Sequence, residues 1–146
     1  MRRITAVALA VVVLAAAGCA GMQGGGMAQK SLYDRLGGKP AITAVVDDFI
    51  SNVAADARIN QRFGGTNIPR LKARLVDQIC EASGGPCKYT GQNMVDAHRG
   101  MRITEAEFNA LVGDLVKSLD KFKVPEREKS ELLTALGGMK PQIVGQ

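Results

Sequence analysis

Histidine is almost absent from this chain: His98 is the only one in 146 residues. A metal centre built from a cluster of histidines is therefore excluded. There is no tryptophan, and there are only two tyrosines and four phenylalanines. No basic run is interleaved with aromatics, so the footprint of a nucleic-acid binder is missing and no such partner is expected. The P-loop, the GxGxxG turn and the GxSxG nucleophile turn are absent as well. Carboxylates are scattered on what the pattern makes outer faces, without a buried pair, so a carboxylate-based hydrolase has little to build on. A membrane-spanning run is also lacking. The apolar stretch Ile4–Ala17, interrupted only by Thr5, is 14 residues long, and a hydrocarbon core takes roughly 20.

That stretch has the length and flanks of a signal peptide, with Met1-Arg2-Arg3 as its basic start. The small residues Ala16, Ala17 and Gly18 suit a peptidase, and Cys19 behind them resembles the lipid-accepting cysteine of a bacterial lipoprotein. One feature departs from that pattern: a larger aliphatic residue usually stands where Ala16 is. Plain secretion without lipid is the alternative. The expected organisation is a signal peptide over 1–18, a lipid-anchored flexible tether over 19–30 rich in Gly, Ala, Met and Gln, and one folded domain over 31–146. The location that follows is the periplasmic face of a membrane, or the soluble periplasm without the lipid. Cleavage before Cys19 removes Arg2 and Arg3 and no acid, taking the formal charge from +5 to +3. Such a mild excess is ordinary for solubility.

An exported compartment permits disulfides. Cys80 and Cys87 flank Ser83-Gly84-Gly85-Pro86, a chain-reversal signal able to bring their α-carbons within the roughly 4.4–6.8 Å a bridge requires. A structural disulfide is expected, with two free thiols or a redox pair as alternatives.

From Ser31 onward the apolar residues recur at helical steps. Ser31 and Asp34 open a short helix carrying Leu32, Tyr33 and Leu36, closed by Gly37-Gly38. Pro40 starts a second, with Ile42, Val45, Val46, Phe49 and Val53 on one face. Pro69 starts a third, with Leu71, Leu75, Gln78 and Ile79 near one side. Met94, Ala97, His98 and Met101 share one side of a short helix. Thr104 and Glu107 form a capping box ahead of the longest apolar stripe: Phe108, Leu111, Val112, Leu115, Val116, Leu119 and Phe122. Val124-Pro125-Glu126 opens the last helix, with Leu132, Leu133, Leu136 and Met139. The fold class is all-α, with five or six helices and no confident strand.

One histidine can ligate one metal if a macrocycle supplies the other four ligands, which is how haem is held. Met94 lies four residues before His98, so its carbonyl is placed to accept the second ring N–H and fix the tautomer. Phe63, Phe108, Leu111, Val112 and Leu136 would supply apolar walls. A histidine near a helix end is nonetheless more often an ordinary surface or core residue.

The ordered motifs narrow this. SLYDRLGG, VVDDF, RFGGTN, LKARLVDQ, SGGP, KYTG and VDAHRG-MRIT follow one another at spacings that resemble a group I truncated haemoglobin, across Ser31 to Val144. The resemblance implies a truncated globin fold, a two-over-two helical sandwich with haem b between the third and fifth helices. It makes His98 the proximal iron ligand and Phe63 the aromatic that packs on the haem face. Tyr89 and Met94 match residues lining the haem edge and proximal side, and Arg74 is a candidate partner for a haem propionate.

The distal side departs from the family. Its frequent tyrosine is Ile50 here, its frequent glutamine is Leu75, and Leu71 stands at the gate. The cage that polarises bound dioxygen is thus missing from these positions. A hydrogen bond of that kind contributes about 1.5–3 kcal/mol, or roughly 10–150-fold in retention. Carbon monoxide and nitric oxide depend on it less. Gln78, seven residues after Leu71, points in nearly the same direction and is either a replacement donor or, as favoured here, a peripheral residue. Cys80 falls on the opposite face. The expected function is reversible binding of a small diatomic gas (O2, NO or CO) at a five-coordinate iron, served by an unidentified reductase. The alternatives are a nitric oxide dioxygenase or haem peroxidase, a haem sensor or electron-transfer lipoprotein, and a haem-free interaction module. The apolar distal residues argue against both enzymes, which need a stable oxygen complex or a distal acid–base group.

Overall fold

The computed structural model describes residues 29–146. The expected signal peptide, Cys19 and nearly all of the tether lie outside the described residues. Six α-helices follow in order: α1 (Leu32–Arg35), α2 (Gly38–Ala55), α3 (Ile68–Ala82), α4 (Met94–His98), α5 (Glu105–Lys121) and α6 (Glu126–Gly137). Single 3-10 turns occupy Asn60–Phe63 and Lys140–Gln142. Among the described residues the only extended pairing is one isolated parallel bridge, Ile103 to Val144, so the all-α expectation holds. None of these helices is long and apolar enough to cross a membrane.

Local chemistry explains where the helices start. The side-chain oxygens of Ser31, Asn67, Asn93 and Thr104 each accept from the backbone N–H three residues on, satisfying one of the orphan donors of α1, α3, α4 and α5. At Thr104 the box is reciprocal, because the Glu107 carboxylate accepts the Thr104 N–H at 2.8 Å. Helix α2 begins two residues before the proline expected to open it. Gly37 and Gly38 both take positive φ, and Pro40 falls in the first turn, where no intrahelical acceptor waits for its missing N–H.

Helix α2 is the centre of the packing, laid against both α3 and α5, with α6 against α3 and α5. Its residues Ile42, Val45, Val46, Phe49, Ile50 and Val53 are all buried. They meet Val76, Ile79 and Cys80 of α3 and Leu115, Leu119 and Leu132 of α5 and α6 in one core. Cys80 is bonded to Cys87, with α-carbons 5.7 Å apart. Gly85 makes that reversal possible, since a Cβ there would come within 2.5 Å of the Tyr33 ring and 2.7 Å of the Cys80 sulfur.

Helix α5 corrects two expectations. Its buried face includes Asp114 and Ser118, both with no exposed surface, whereas Phe122 is 43% exposed and Val112 and Val116 are half-buried. The apolar stripe does not carry through Phe122 because the helix ends at Lys121 and Lys123 turns away at φ 54°. Ser118 takes an inward position because partners on α2 meet it. Asn52 donates to the Ser118 hydroxyl at 2.9 Å, and that hydroxyl donates to Asp48 at 2.9 Å. Hydrogen bonds from Lys121 and Ser118 hold the Asp48 carboxyl below the usual carboxylate range. The carboxylates are therefore not all on outer faces. Asp114 is buried, with one oxygen 2.8 Å from Lys117 and the other without a protein partner.

Candidate functional site

His98 ends α4, the five-residue helix that Asn93 caps. Its Nδ1 lies 2.8 Å from the Met94 carbonyl oxygen. A carbonyl only accepts, so Nδ1 carries a ring proton, and in the neutral ring that leaves the Nε2 lone pair for a Lewis acid. The imidazole lines a cavity of about 80 Å³ together with Phe63, Met101, Phe108, Leu111 and Ile143. Arg62 and Glu107 complete one side of it. Arg62 Nε donates to Glu107 at 2.7 Å, and its Nη1 donates to the Met101 carbonyl at 3.0 Å, so this arginine holds the loop immediately after His98. The Arg62 guanidinium and the Thr104 donors hold the Glu107 carboxyl down to about 2.

Phe63 also belongs to a second cavity of about 400 Å³, lined by Ile50, Val53, Ala54, Asn60, Gly64 and Ile68. Its walls are apolar except for Asn60, whose amide is already engaged with the Ala54 carbonyl at 3.3 Å. Ile50 is 6% exposed and faces this space. Leu71 and Leu75 of α3 are half-buried against the main core.

Of the residues singled out in the sequence, Phe63, Phe108, Leu111 and His98 come together around one cavity, and Ile50 meets Phe63 in the other. Val112 and Leu136 line neither cavity. Of helix α3 only Ile68, its first residue, lines either cavity, so Leu71 and Leu75 do not reach these spaces. Instead α3 reaches the His98 side by two contacts. Arg74 donates to the Thr90 hydroxyl. The Gln78 amide nitrogen sits 3.4 Å from the Met94 sulfur and 3.3 Å from the Met139 sulfur. Gln78 is thus directed to the α4 side, and its donor is spent on two thioethers. Tyr89 is half-buried, with its hydroxyl donating to the Gln92 carbonyl at 2.8 Å. Sequence reasoning missed Ile59, Arg62, Ile103, Glu107 and Ile143 as lining residues. The Thr104–Glu107 box was a usable signal for Glu107, but nothing local marks Ile143.

The donor set suits a haem. No group of three or more His, Cys, Asp or Glu able to hold a bare metal ion occurs among the described residues. One imidazole nitrogen at a largely apolar cavity fits an iron that brings four ligands of its own. Helices in this order, with a single imidazole presented to that cavity, define a truncated two-over-two globin.

The comparisons with known proteins agree. The model of bacterial-like globins matches residues 31–144. A Group 1 truncated hemoglobin from Mycolicibacterium paratuberculosis is 40% identical over 113 residues, 77% of this chain and 83% of that protein. The Fe(III) form of truncated hemoglobin from Tetrahymena pyriformis matches with a TM-score of 0.78 at 28% identity, covering 80% of this chain and 100% of that one. The 2/2 hemoglobin from Synechococcus sp. PCC 7002, solved in the cyanomet state with covalently attached heme, gives a TM-score of 0.70 at 31% identity, covering 74% and 91%. The chain belongs to the bacterial-like globin family, a family whose members are haem proteins.

Proposed function

We propose that this globin holds haem b through His98 and binds a small diatomic gas against an apolar distal wall. When bound, haem supplies an iron with one coordination position left for O2, NO or CO. The observation that carries the reading is the 2.8 Å contact between His98 Nδ1 and the Met94 carbonyl, which fixes the tautomer with Nε2 available as the fifth ligand. Phe63, Phe108 and Leu111 supply apolar surface to the space beside the ring. Across Phe63 the residues Ile50, Val53 and Ile68 give the second cavity a largely apolar wall, with Asn60 its one polar residue, and an apolar cavity of that kind tends to stay dry. Arg74 and Tyr89 stand at the α3–α4 connection, where a propionate carboxylate would find a cation.

The test is the oxygen release rate of the ferrous protein. Fast release is expected; very slow release contradicts the apolar wall. If release is slow in the wild type and fast in Gln78→Leu, then Gln78 is the missing donor.

The remaining parts of the reading concern the cell. A separate reductase would keep the iron ferrous. A signal peptide over 1–18 and a lipid on Cys19 would tether the domain to a membrane on the periplasmic side. The Cys80–Cys87 bridge supports export, because such bonds persist in oxidising compartments. Membrane fractionation decides this. The wild type should pellet with membranes and Cys19→Ser should be released; a wild type found in the soluble cytoplasmic fraction defeats it.

A further inference from the structure

The helix that carries His98 is short, and its chief packing partner is the 3-10 turn Lys140–Gln142. From that turn the chain runs as a strap along the loop that follows His98. Val144 bridges to Ile103. The Gly145 N–H donates to the Ile103 carbonyl at 2.9 Å, and the Arg102 N–H donates to the Gln146 carbonyl. Arg102 takes φ 50°, a backbone region that residues with a side chain rarely occupy. In that conformation its N–H is paired with Gln146.

The strap also reaches the cavity itself. The Ile143 side chain lines the same space as His98, Met101 and Ile103. At the strap's start, Lys140 is fixed by Glu105 at 2.9 Å and lies 5.7 Å from the centre of the Phe108 ring. On the other flank Arg62 grips the Met101 carbonyl. The bond between His98 and the Met94 carbonyl is internal to α4. It orients the ring within the helix but does nothing to place the helix. Placement falls to the strap on one side and to Arg62 and the Gln78–Met94 contact on the other.

We propose that residues 140–146 position His98: through Ile143 and the backbone pairing at Arg102 and Ile103, the strap sets where the imidazole stands relative to the iron. This rests on the reading of His98 as the proximal ligand. Groups that orient a metal ligand without touching the metal are commonly worth 10–100-fold in affinity. The strap is such a group, supplied by a segment some forty residues further along the chain.

The experiment uses the full haem-loaded chain in four forms: wild type, a deletion of residues 144–146, Ile143→Ala and Ile143→Val. Two quantities are read: the iron–histidine stretching band of the ferrous, gas-free protein by resonance Raman, and the rate of haem transfer to excess apomyoglobin. One narrow band is expected in the wild type. The deletion should shift and broaden it and speed haem transfer by about tenfold or more. Ile143→Ala should do the same to a smaller degree, and Ile143→Val should restore both. If the deletion variant fails to fold, the Ile143 pair decides. An unchanged band in the variants overturns the proposal even where haem leaves faster, because the strap is then only a seal. Absence of any iron–histidine band in the wild type overturns the assignment of His98 itself, and the strap's role with it.

Discussion

On the His98 side of the haem cleft, hydrogen bonds do the placing. The ring is bonded to Met94, the loop behind it to Arg62, and Arg102 and Ile103 to the segment ending at Gln146. Across Phe63 the wall is made from Ile50, Val53, Ala54 and Ile68, and its one polar residue, Asn60, has its donor engaged elsewhere. A ligating nitrogen must be held at one point and in one tautomer, which takes directional bonds. A surface that only has to exclude water needs area and close packing, which branched aliphatics supply without any polar group to satisfy. With haem held as proposed, one wall would control where the iron sits, and the other what reaches it and how long it stays.

Breaking the first wall should have the largest effect. His98→Ala is expected to abolish the haem absorption band of the purified protein while circular dichroism stays helical. A variant that folds and keeps haem with an unchanged spectrum would remove His98 from the proximal role. Next comes a donor placed on the apolar wall. Ile50→Tyr should slow oxygen release by roughly 10–150-fold, the equivalent of a bond of about 1.5–3 kcal/mol, with much smaller changes for carbon monoxide. Flash photolysis and stopped-flow mixing read both. If the Ile50→Tyr variant leaves the oxygen rate unchanged, the space beside Ile50 is not where the gas binds.

The disulfide ties the end of α3 to the chain that leads into α4. The double variant Cys80→Ser, Cys87→Ser should cost on the order of 2.5 kcal/mol in the chain-entropy model, measured as a lower urea midpoint. Carbon monoxide binding should be little altered once the protein is folded. Equal stability with and without the bridge would show that packing of Cys80 alone carries that corner.

The smallest effect expected is the share of the acid dependence that Glu107 contributes on the polar wall. Glu107 has its carboxyl held at about 2 by Arg62 and Thr104. Its folded value is depressed, so its contribution is present above the ordinary carboxylate value near 4.5 and is lost as the pH falls towards 2. Glu107→Gln should flatten that part of the stability–pH curve and leave stability unchanged in shape above pH 5. An identical acid profile in the variant would mean that the Arg62–Glu107 pair is solvent-screened and contributes nothing measurable.

Much of this was legible in the residues because it is local. The caps at Ser31 and Thr104, the apolar face of α2, the reversal between Cys80 and Cys87 and the Met94–His98 spacing all lie within a few positions of one another. The expected turn at Gly37-Gly38 is present as well. The inward turn of Asp114 and Ser118 was not legible, because apolar periodicity is blind to polar groups satisfied by a neighbouring helix, as Asn52 and Asp48 satisfy Ser118. Phe122 was misread for the related reason that a periodic stripe does not announce where the helix ends. The strap was invisible for a third reason. Ile143 and Val144 meet Met101 and Ile103 across about forty residues, in a segment too short and too irregular to show a period. Gln78 lies between these cases. Its direction around α3 was readable, but its two methionine partners come from α4 and the stretch after α6.

The central claim is that one imidazole presents an accessible haem iron to small gases. The most direct measurement is the absorption spectrum of the purified full chain, reduced, with and without carbon monoxide. The account predicts a strong haem band that shifts on adding the gas. A folded, helical and colourless protein that takes up no added haem would contradict it.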